Sequence, residues 1–532
     1  MIRRNLPTTL FLLVGVILLT SCMPPTPIAV YMTATHFPTE SPLVLATNTP
    51  PTQTAEVQFT QIAALPTETP AAAPTETPTA APTQSPMPNV TWRGPIVGPG
   101  YVPPTTPAPE AAPPTETPAP GTPSNTPAPP TNTPEGAPAG AALVLPNLDG
   151  NRIGIQLDIN LSQDDWRDAM GRIETLGVRW VKVQIAWRDM QPNNRDERGT
   201  EFFRRVEQYL EDANRRGFSV MVSIAKAPAW ARSNQTEDGP PDNPADLANF
   251  ITILLQEINP DTMRDVLGDN IDAVEVWNEP NLIREWQGTL PFTGAGYMTL
   301  FTPAYQAIRA YSPTLPIITA GLAPTGNSAG SVDDREFLRQ MYAAGLASYT
   351  DVIIGAHPYS WANAPDAVCC GTRGWDDDPH FFYADTMREY RDIMTASGDA
   401  DAQIWITEFG YATWDNFPQD PPAGSEWMRF NDRWRQAGYT IRMLQIAQES
   451  GYVGPVILWN LNFATLAGLV VNRDERIAYS ILIPGEGCNF QENNPNRTER
   501  PLFWMIFDAV RADTQLNDWC GQPPSPLPGY GG

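Results

Sequence analysis

Two short strings each place a glutamate where a run of strand-forming residues stops: VEVWNEPN, Val274 to Asn281, and IWITEFG, Ile404 to Gly410. Each alternates Val, Ile or Trp with other residues and then breaks at Pro280 or Gly410, the pattern of a buried strand leaving its sheet. Paired carboxyls suit the cleavage of an acetal, which needs a proton on the leaving oxygen and negative charge facing an oxocarbenium-like carbon. When two such groups lie about 5 to 5.5 Å apart, one alternates as acid and base and the other attacks the anomeric carbon. Glu279 and Glu408 are therefore the candidate catalytic pair.

The elements that must position them alternate along the chain from about Leu145 to Trp519. Eight strands are predicted, beginning at Ile153, Val178, Phe218, Ile271, Pro316, Asp351, Gln403 and Pro455. Amphipathic helices are predicted over Gln163–Leu176, Glu201–Arg216, Ala245–Glu257, Tyr297–Ala310, Asp334–Ala344, Tyr383–Ala396, Glu426–Ser450 and Pro501–Ala512. Eight such pairs predict an α/β fold, a (β/α)8 TIM barrel, with Glu279 and Glu408 ending the fourth and seventh strands. Such ends face one another across the mouth, where these barrels carry their chemistry. A doubly wound sheet is the main rival.

WNEPN from Trp277 and TEFG from Thr407 resemble the acid/base and nucleophile motifs of clan A glycoside hydrolases, the "4/7" retaining superfamily. The resemblance covers the whole barrel. It implies that Glu279 is the acid/base and Glu408 the nucleophile, and that Asn278 binds a sugar 2-hydroxyl. It also implies that His357 and Tyr359, in HPY after the sixth strand, stand beside the nucleophile, and that Trp459 lies under the −1 sugar. Within the clan, APAW at Ala227 to Trp230 and WRDMQP at Trp187 to Pro192 look nearest to family 39 and its endoglycosidases, with family 5 cellulases second.

In such a mechanism Glu279 is expected to have a raised pKa, and Glu408 to be kept ionised by donors such as Tyr359 and His357. Glu275 shares strand parity with Glu279 but reads as an interior residue paired with Lys182, because a buried carboxylate wants a cation. Trp187, Trp230, Trp361 and Trp375 lie on strand-end loops and are candidates for sugar stacking, with loop or core packing as the alternative. Gln156, Asp158, Asn160, Asn460 and Asn462 are candidates for hydroxyl binding.

The 58 prolines of the 532 residues are concentrated before the barrel. MIRRN, the apolar Leu10 to Leu19 and the ending Leu19-Thr20-Ser21-Cys22 have the layout of a secretory signal. The ending resembles a bacterial lipobox, which implies cleavage before Cys22, lipidation of its thiol and a cell-surface lipoprotein anchored to the membrane. Residues 23–144 are Pro, Thr and Ala in loose repeats such as TETP and TPAP, a disordered tether with reach on the order of 100 Å. The barrel is assigned to 145–525 and a flexible tail to 526–532.

A net charge of −25 argues against nucleic acid as a partner, since phosphate binding needs clustered Lys and Arg. The expected partner is a polysaccharide or oligosaccharide, the expected state a monomer. No cofactor or metal is expected; the barrel offers only His357 and His380, with no Cys-x-x-Cys spacing. Cys369, Cys370, Cys488 and Cys520 suggest disulfides in an exported chain, with three pairings open, one of them a vicinal Cys369–Cys370 bridge.

Two other functions fit parts of the chain. Gly326 to Gly330 matches the G-x-S-x-G elbow of an esterase nucleophile, Ser328, but Leu322 to Thr325 separate it from the strand that should feed the turn. A surface lectin that binds glycan on the same barrel without cutting it is the other.

Overall fold

In a computed structural model of the chain, residues 144–530 are described, apart from positions 236, 260–268, 374–375, 416, 418, 465–471, 484–498, 512–518 and 520. The signal segment, Cys22, nearly all of the Pro/Thr-rich stretch, Trp375, Cys488 and Cys520 lie outside the described residues.

Eight parallel strands close into a barrel in sequence order: β1 Ile153–Leu157, β2 Trp180–Ala186, β3 Ser219–Ala225, β4 Ala273–Val276, β5 Ile317–Thr319, β6 Val352–Ala356, β7 Ile404–Phe409 and β8 Val453–Leu458. Closure is made where Ile153 pairs with Val456. Among the described residues a helix longer than two turns follows each strand: α1 Gln163–Leu176, α2 Glu201–Arg215, α3 Pro244–Ile258, α4 Gly294–Tyr311, α5 Asp334–Ala343, α6 Tyr383–Ala396, α7 Arg433–Glu449 and α8 Pro501–Ala509, with a single helical turn, Trp187–Met190, ahead of α2. This is the (β/α)8 barrel that the alternation predicts. Among the described residues no helix is long and apolar enough to cross a membrane.

Local chemistry starts and stops the helices. The Ser162 side chain accepts from Asp165 N at the start of α1, and Gly177 ends it with φ at 78°. Thr200 caps α2, whose Phe203, Val206, Tyr209, Leu210 and Ala213 recur at helical spacing and are buried against the barrel. The stretch Glu426–Ser450, predicted as one helix, divides. A short 3-10 segment runs Glu426–Phe430, and α7 begins only at Arg433 because the Asp432 carboxylate accepts from Trp434 N and Arg435 N.

Strand parity builds the interior in layers. Val220 and Val222 face the helices, while Met221 joins Ala273, Ile318, Trp405 and Ile457 in a separate apolar cluster filling the barrel. Two residues further along the same strands come Ser223, Glu275 and Thr407, with Lys182 on β2; all four are fully buried. An apolar plug thus supports a polar floor, and the site stands on that floor.

Residues 527–530, expected as part of a flexible tail, pack on the barrel. Leu527 is buried, Pro528 O crowds Gly438 of α7, and the Tyr530 hydroxyl donates to Gln445 of the same helix. The apolar side chain of Leu527 holds this segment against the barrel wall.

Candidate active site

Glu279 lies three residues beyond the end of β4, in a backbone that few residues adopt. Trp277 and Glu279 have φ of 79° and 40°, left-handed conformations that cost on the order of 1–3 kcal/mol each and persist only when surroundings hold them. Here Trp277 N donates to Ile224 O at 2.9 Å, its indole N–H to Glu285 O at 3.0 Å, and Glu279 N to Gly321 O at 3.1 Å. Asn281 braces the turn from the far side, its amide spanning Ala323 and Val332 of the next loop. The strain aims the Glu279 carboxyl into the barrel mouth.

Glu408 sits within β7, whose pairing to β8 shifts register between Ile406 and Phe409. That irregularity lets consecutive residues serve one site, which a regular strand of period two forbids. The Thr407 hydroxyl bonds His357 Nε2 at 3.1 Å, while the neighbouring Glu408 takes Lys182 Nζ at 3.2 Å and the Tyr359 hydroxyl at 3.2 Å. Gly410 completes the exit: a Cβ there would stand 2.6 Å from Trp459 O.

One oxygen each of Glu279 and Glu408 and one nitrogen of His357 lie within 4.8 Å of one another. His357 Nδ1 is 3.3 Å from Glu279 Oε1 and 3.8 Å from Glu408 Oε2. The imidazole therefore bonds Glu279 rather than Glu408, and of the two donors expected on Glu408 only Tyr359 is in hydrogen-bond reach. Lys182 takes the other place. It is fully buried, 2.9 Å from Glu275 Oε2, so it serves the interior pair and the strand-end carboxylate together. Arg284 supplies the third cation, 3.0 Å from Glu279 Oε2. Three carboxylates thus face Lys182, His357 and Arg284. Each carboxylate already has a cation and a hydrogen donor, which is the pattern of a balanced charge cluster rather than of metal ligands.

This balance sets the proton affinities. Burial pushes the His357 imidazole down, but Glu408, Glu275 and Glu279 outweigh it and raise its pKa to about 9. Burial alone would raise Glu279, yet its bond to His357 and the charge of Arg284 bring it below the usual carboxylate range. That reverses the sequence expectation of a raised Glu279, which had His357 serve Glu408 and did not include Arg284. Glu285, at the end of the same turn, is the carboxyl that burial does raise, to about 7.

The cellulase family model, glycosyl hydrolase family 5, matches residues 147–441. The chain belongs to that family. It is accordingly an O-glycosyl hydrolase of clan A, and the motifs that lean toward family 39 lie on a family 5 chain. No curated protein matches it. Similar solved structures include a family 39 glycoside hydrolase from the gut symbiont Bacteroides cellulosilyticus WH2, 15% identical with TM-score 0.48, covering 69% of this chain and 66% of that one. An endo-beta-1,4-glucanase from Xanthomonas axonopodis pv. citri is 14% identical with TM-score 0.41, covering 68% and 99%. An exo-beta-1,4-mannosidase from Opitutaceae bacterium strain TAV5 is 13% identical with TM-score 0.40, covering 70% and 60%. The family assignment rests on the family match alone.

In this family 5 barrel a cleft of about 350 Å³ surrounds the carboxylates. Asn278, Tyr359 and Trp459 line it as expected positions, and the Asn278 side-chain oxygen is buried without a protein partner. Trp361 lines it too, together with Trp427 and Tyr479, which the sequence reading missed. Tyr479 packs 5.0 Å from Trp459 between ring centroids and 5.7 Å from Tyr359, forming an aromatic wall.

Other candidates are placed elsewhere. Trp187 is fully buried, stacked on Phe250 of α3, with its N–H donated to Gln191; it is core. Trp230 packs against it and donates to Gln191 O. Asn460 is buried, its side-chain oxygen accepting from Ser480 and from Phe463 N, so it ties the β8 loop and offers nothing to a sugar. Gln156 is buried and Asp158 and Asn160 bond one another; neither they nor Asn462 are among the cleft-lining residues. Ser328 is held by Ser331 and Gly330 N, with neither described histidine bonded to it, so the esterase triad is not assembled. Cys369 and Cys370 are bridged to each other.

Proposed function

We propose that this glycoside hydrolase is a retaining enzyme, with Glu408 as nucleophile and Glu279 as acid/base. The observation that carries the reading is the close approach of the two carboxylates, one oxygen of each within 4.8 Å, on the short side of the range that separates retaining from inverting pairs. The roles follow from their neighbours. Glu408 is held by Lys182 and by the Tyr359 hydroxyl at the base of the cleft, fixed in place to attack, while Glu279 lies beside Arg284 and His357.

In the first displacement a Glu408 oxygen bonds the anomeric carbon as the bond to the leaving oxygen breaks, and the proton of Glu279 passes to that oxygen. Glu408 is then a neutral ester. Lys182, His357 and Arg284 now face one charge fewer, which favours ionised Glu279 and suits it to take the proton of the incoming water. Water attack regenerates the Glu408 carboxylate. Trp459 and Tyr479 offer flat apolar faces to a pyranose ring beside this centre.

We infer further that the substrate is a polysaccharide cut internally. Aromatic residues of the β6 and β7 loops, Trp361 and Trp427, and charged residues of the β3 and β4 loops, Lys226, Arg284 and Glu285, extend the cleft beyond the carboxylate pair. Export and anchoring through Cys22 are part of the same proposal; the Cys369–Cys370 bridge supports an oxidising compartment. The test is hydrolysis of a panel of β-glucan, xylan, mannan and bacterial exopolysaccharides, with the anomeric configuration of the first product read by NMR. Retained configuration and loss of activity in Glu408→Gln are expected; inverted product would sink the retaining assignment. For the anchor, radiolabelled palmitate should enter the wild type and not Cys22→Ser.

A further inference from the structure

The two oxygens of Glu279 have different neighbours. Oε1 faces the barrel, 3.3 Å from His357 Nδ1, whose other nitrogen bonds Thr407. Oε2 is 3.0 Å from Arg284 Nη2, and Arg284 is a cleft-lining side chain with 44% exposure. Oε2 is thus the oxygen turned toward the cleft, and proton delivery needs the leaving oxygen within about 2.6–3.2 Å of it. Arg284 stands at that approach.

A second resting place for the guanidinium lies alongside. Glu285 Oε1 is 3.9 Å from Arg284 Nε, and Glu285 Oε2 is buried with no hydrogen-bond partner. The Glu285 backbone is pinned, since its carbonyl accepts from Trp277. Glu475, on the loop after β8, also lines the cleft and attracts Arg284. A short swing would carry Arg284 from one carboxylate to the others without leaving a buried charge unpaired.

We propose, resting on the retaining reading above, that Arg284 is a positioning residue that holds Glu279 as its carboxylate until a leaving-group sugar enters, then moves to Glu285 and lets Glu279 take up the solvent proton it passes to the leaving oxygen. The acid is armed by substrate. The protons balance: one from solvent loads Glu279 and passes to the leaving oxygen, the attacking water gives one back to Glu279 in the second displacement, and that proton returns to solvent as Arg284 comes back to the carboxylate.

The other groups facing this pair set its limits. Glu279 is met by His357 and Tyr359 from the β6 loop, Glu408 from β7 and Tyr479 from the β8 loop; Glu285 is met by Lys226 and Asp238 from the β3 loop.

The experiment uses the full chain, with carboxyl-¹³C-labelled glutamate, and follows Glu279 by NMR titration, its signal identified by its absence in Glu279→Gln. In parallel, the pH profiles of kcat/KM, which reports the free enzyme, and of kcat, which reports the substrate complex, are measured on whichever of β-glucan, xylan and mannan the wild type cleaves. Arg284→Gln is expected to move the Glu279 titration and the basic limb of kcat/KM to higher pH, Arg284→Lys to leave both near wild type, and Glu285→Gln to move the basic limb of kcat to lower pH, by leaving Arg284 with Glu279 in the complex, more than it moves that of kcat/KM. Loss of the Glu285 charge without any movement of Arg284 would shift both profiles alike. An unmoved titration in Arg284→Gln, or equal shifts of kcat and kcat/KM in Glu285→Gln, would overturn the proposal. Retained product configuration in the wild type alongside that outcome would leave the retaining reading intact; inverted configuration would remove its basis.

Discussion

Lys182 Nζ lies 3.2 Å from Glu408 Oε1, and the lysine that makes this contact is fully buried. A buried ammonium needs a compelling partner, and Lys182 has two, the second being Glu275 at 2.9 Å. The barrel interior thus bonds directly to the residue proposed to attack. Lys182→Met should destabilise the protein by about 3–5 kcal/mol, because it leaves Glu275 in an uncompensated site. Activity should fall even at temperatures where the variant is folded. Denaturant midpoints and kcat on the same preparations check both.

Glu279→Ala should lower kcat/KM on an unactivated glycoside by about 10²–10⁴-fold, the usual contribution of a positioned general acid. On an aryl glycoside with a good leaving group the loss in the first step should be much smaller. A uniform loss on both substrates would assign Glu279 a structural role instead.

Gly321 backs the site, and a Cβ there would stand 2.1 Å from His357 Nε2 and 2.8 Å from Thr407 Oγ1. Gly321→Ala should therefore push His357 off Glu279 and cost on the order of 10²-fold in kcat, the scale of a misplacement of about 1 Å. The fold should survive. Circular dichroism with kcat separates misplacement from unfolding.

His380 docks the loop after β6 onto the start of α5, its ring bonded to Asp378 and, at 3.0 Å, to Asp333. Burial lowers its pKa but these carboxylates outweigh that and raise it from 6.5 to about 9. A raised folded-state pKa gives stability that is complete below pH 6.5 and lost as pH rises through about 9. Thermal stability should fall across that window, and His380→Gln should flatten part of the fall. An unchanged slope in the variant would refute the assignment.

Much of this was legible in the sequence, for reasons that differ by residue. The strands announced themselves as apolar runs, and the helices predicted to start at Gln163 and Glu201 start there because apolar residues recur at helical spacing along them. The family pattern carried Glu279, Glu408, Asn278, His357, Tyr359 and Trp459, all of which the fold brings to one mouth. Lys182 and Glu275 were readable as a pair by parity, but the third contact, to Glu408, depends on the register shift in β7, which no periodicity reveals. Arg284 follows Glu279 by five residues on an irregular turn, so its return onto that carboxylate was invisible, and the expected sign of the Glu279 shift failed with it. Trp187 and Trp427 are both loop tryptophans; only packing makes one core and the other cleft wall.

The central claim is that Glu408 forms the covalent intermediate. The direct measurement is to treat the full chain with a 2-deoxy-2-fluoro glycosyl fluoride matching the sugar it cleaves, then map the labelled peptide by mass spectrometry. One equivalent of label is expected on Glu408, with activity lost in step with labelling. Label on Glu279 or Glu275, or turnover to product of inverted configuration with no adduct, would contradict it.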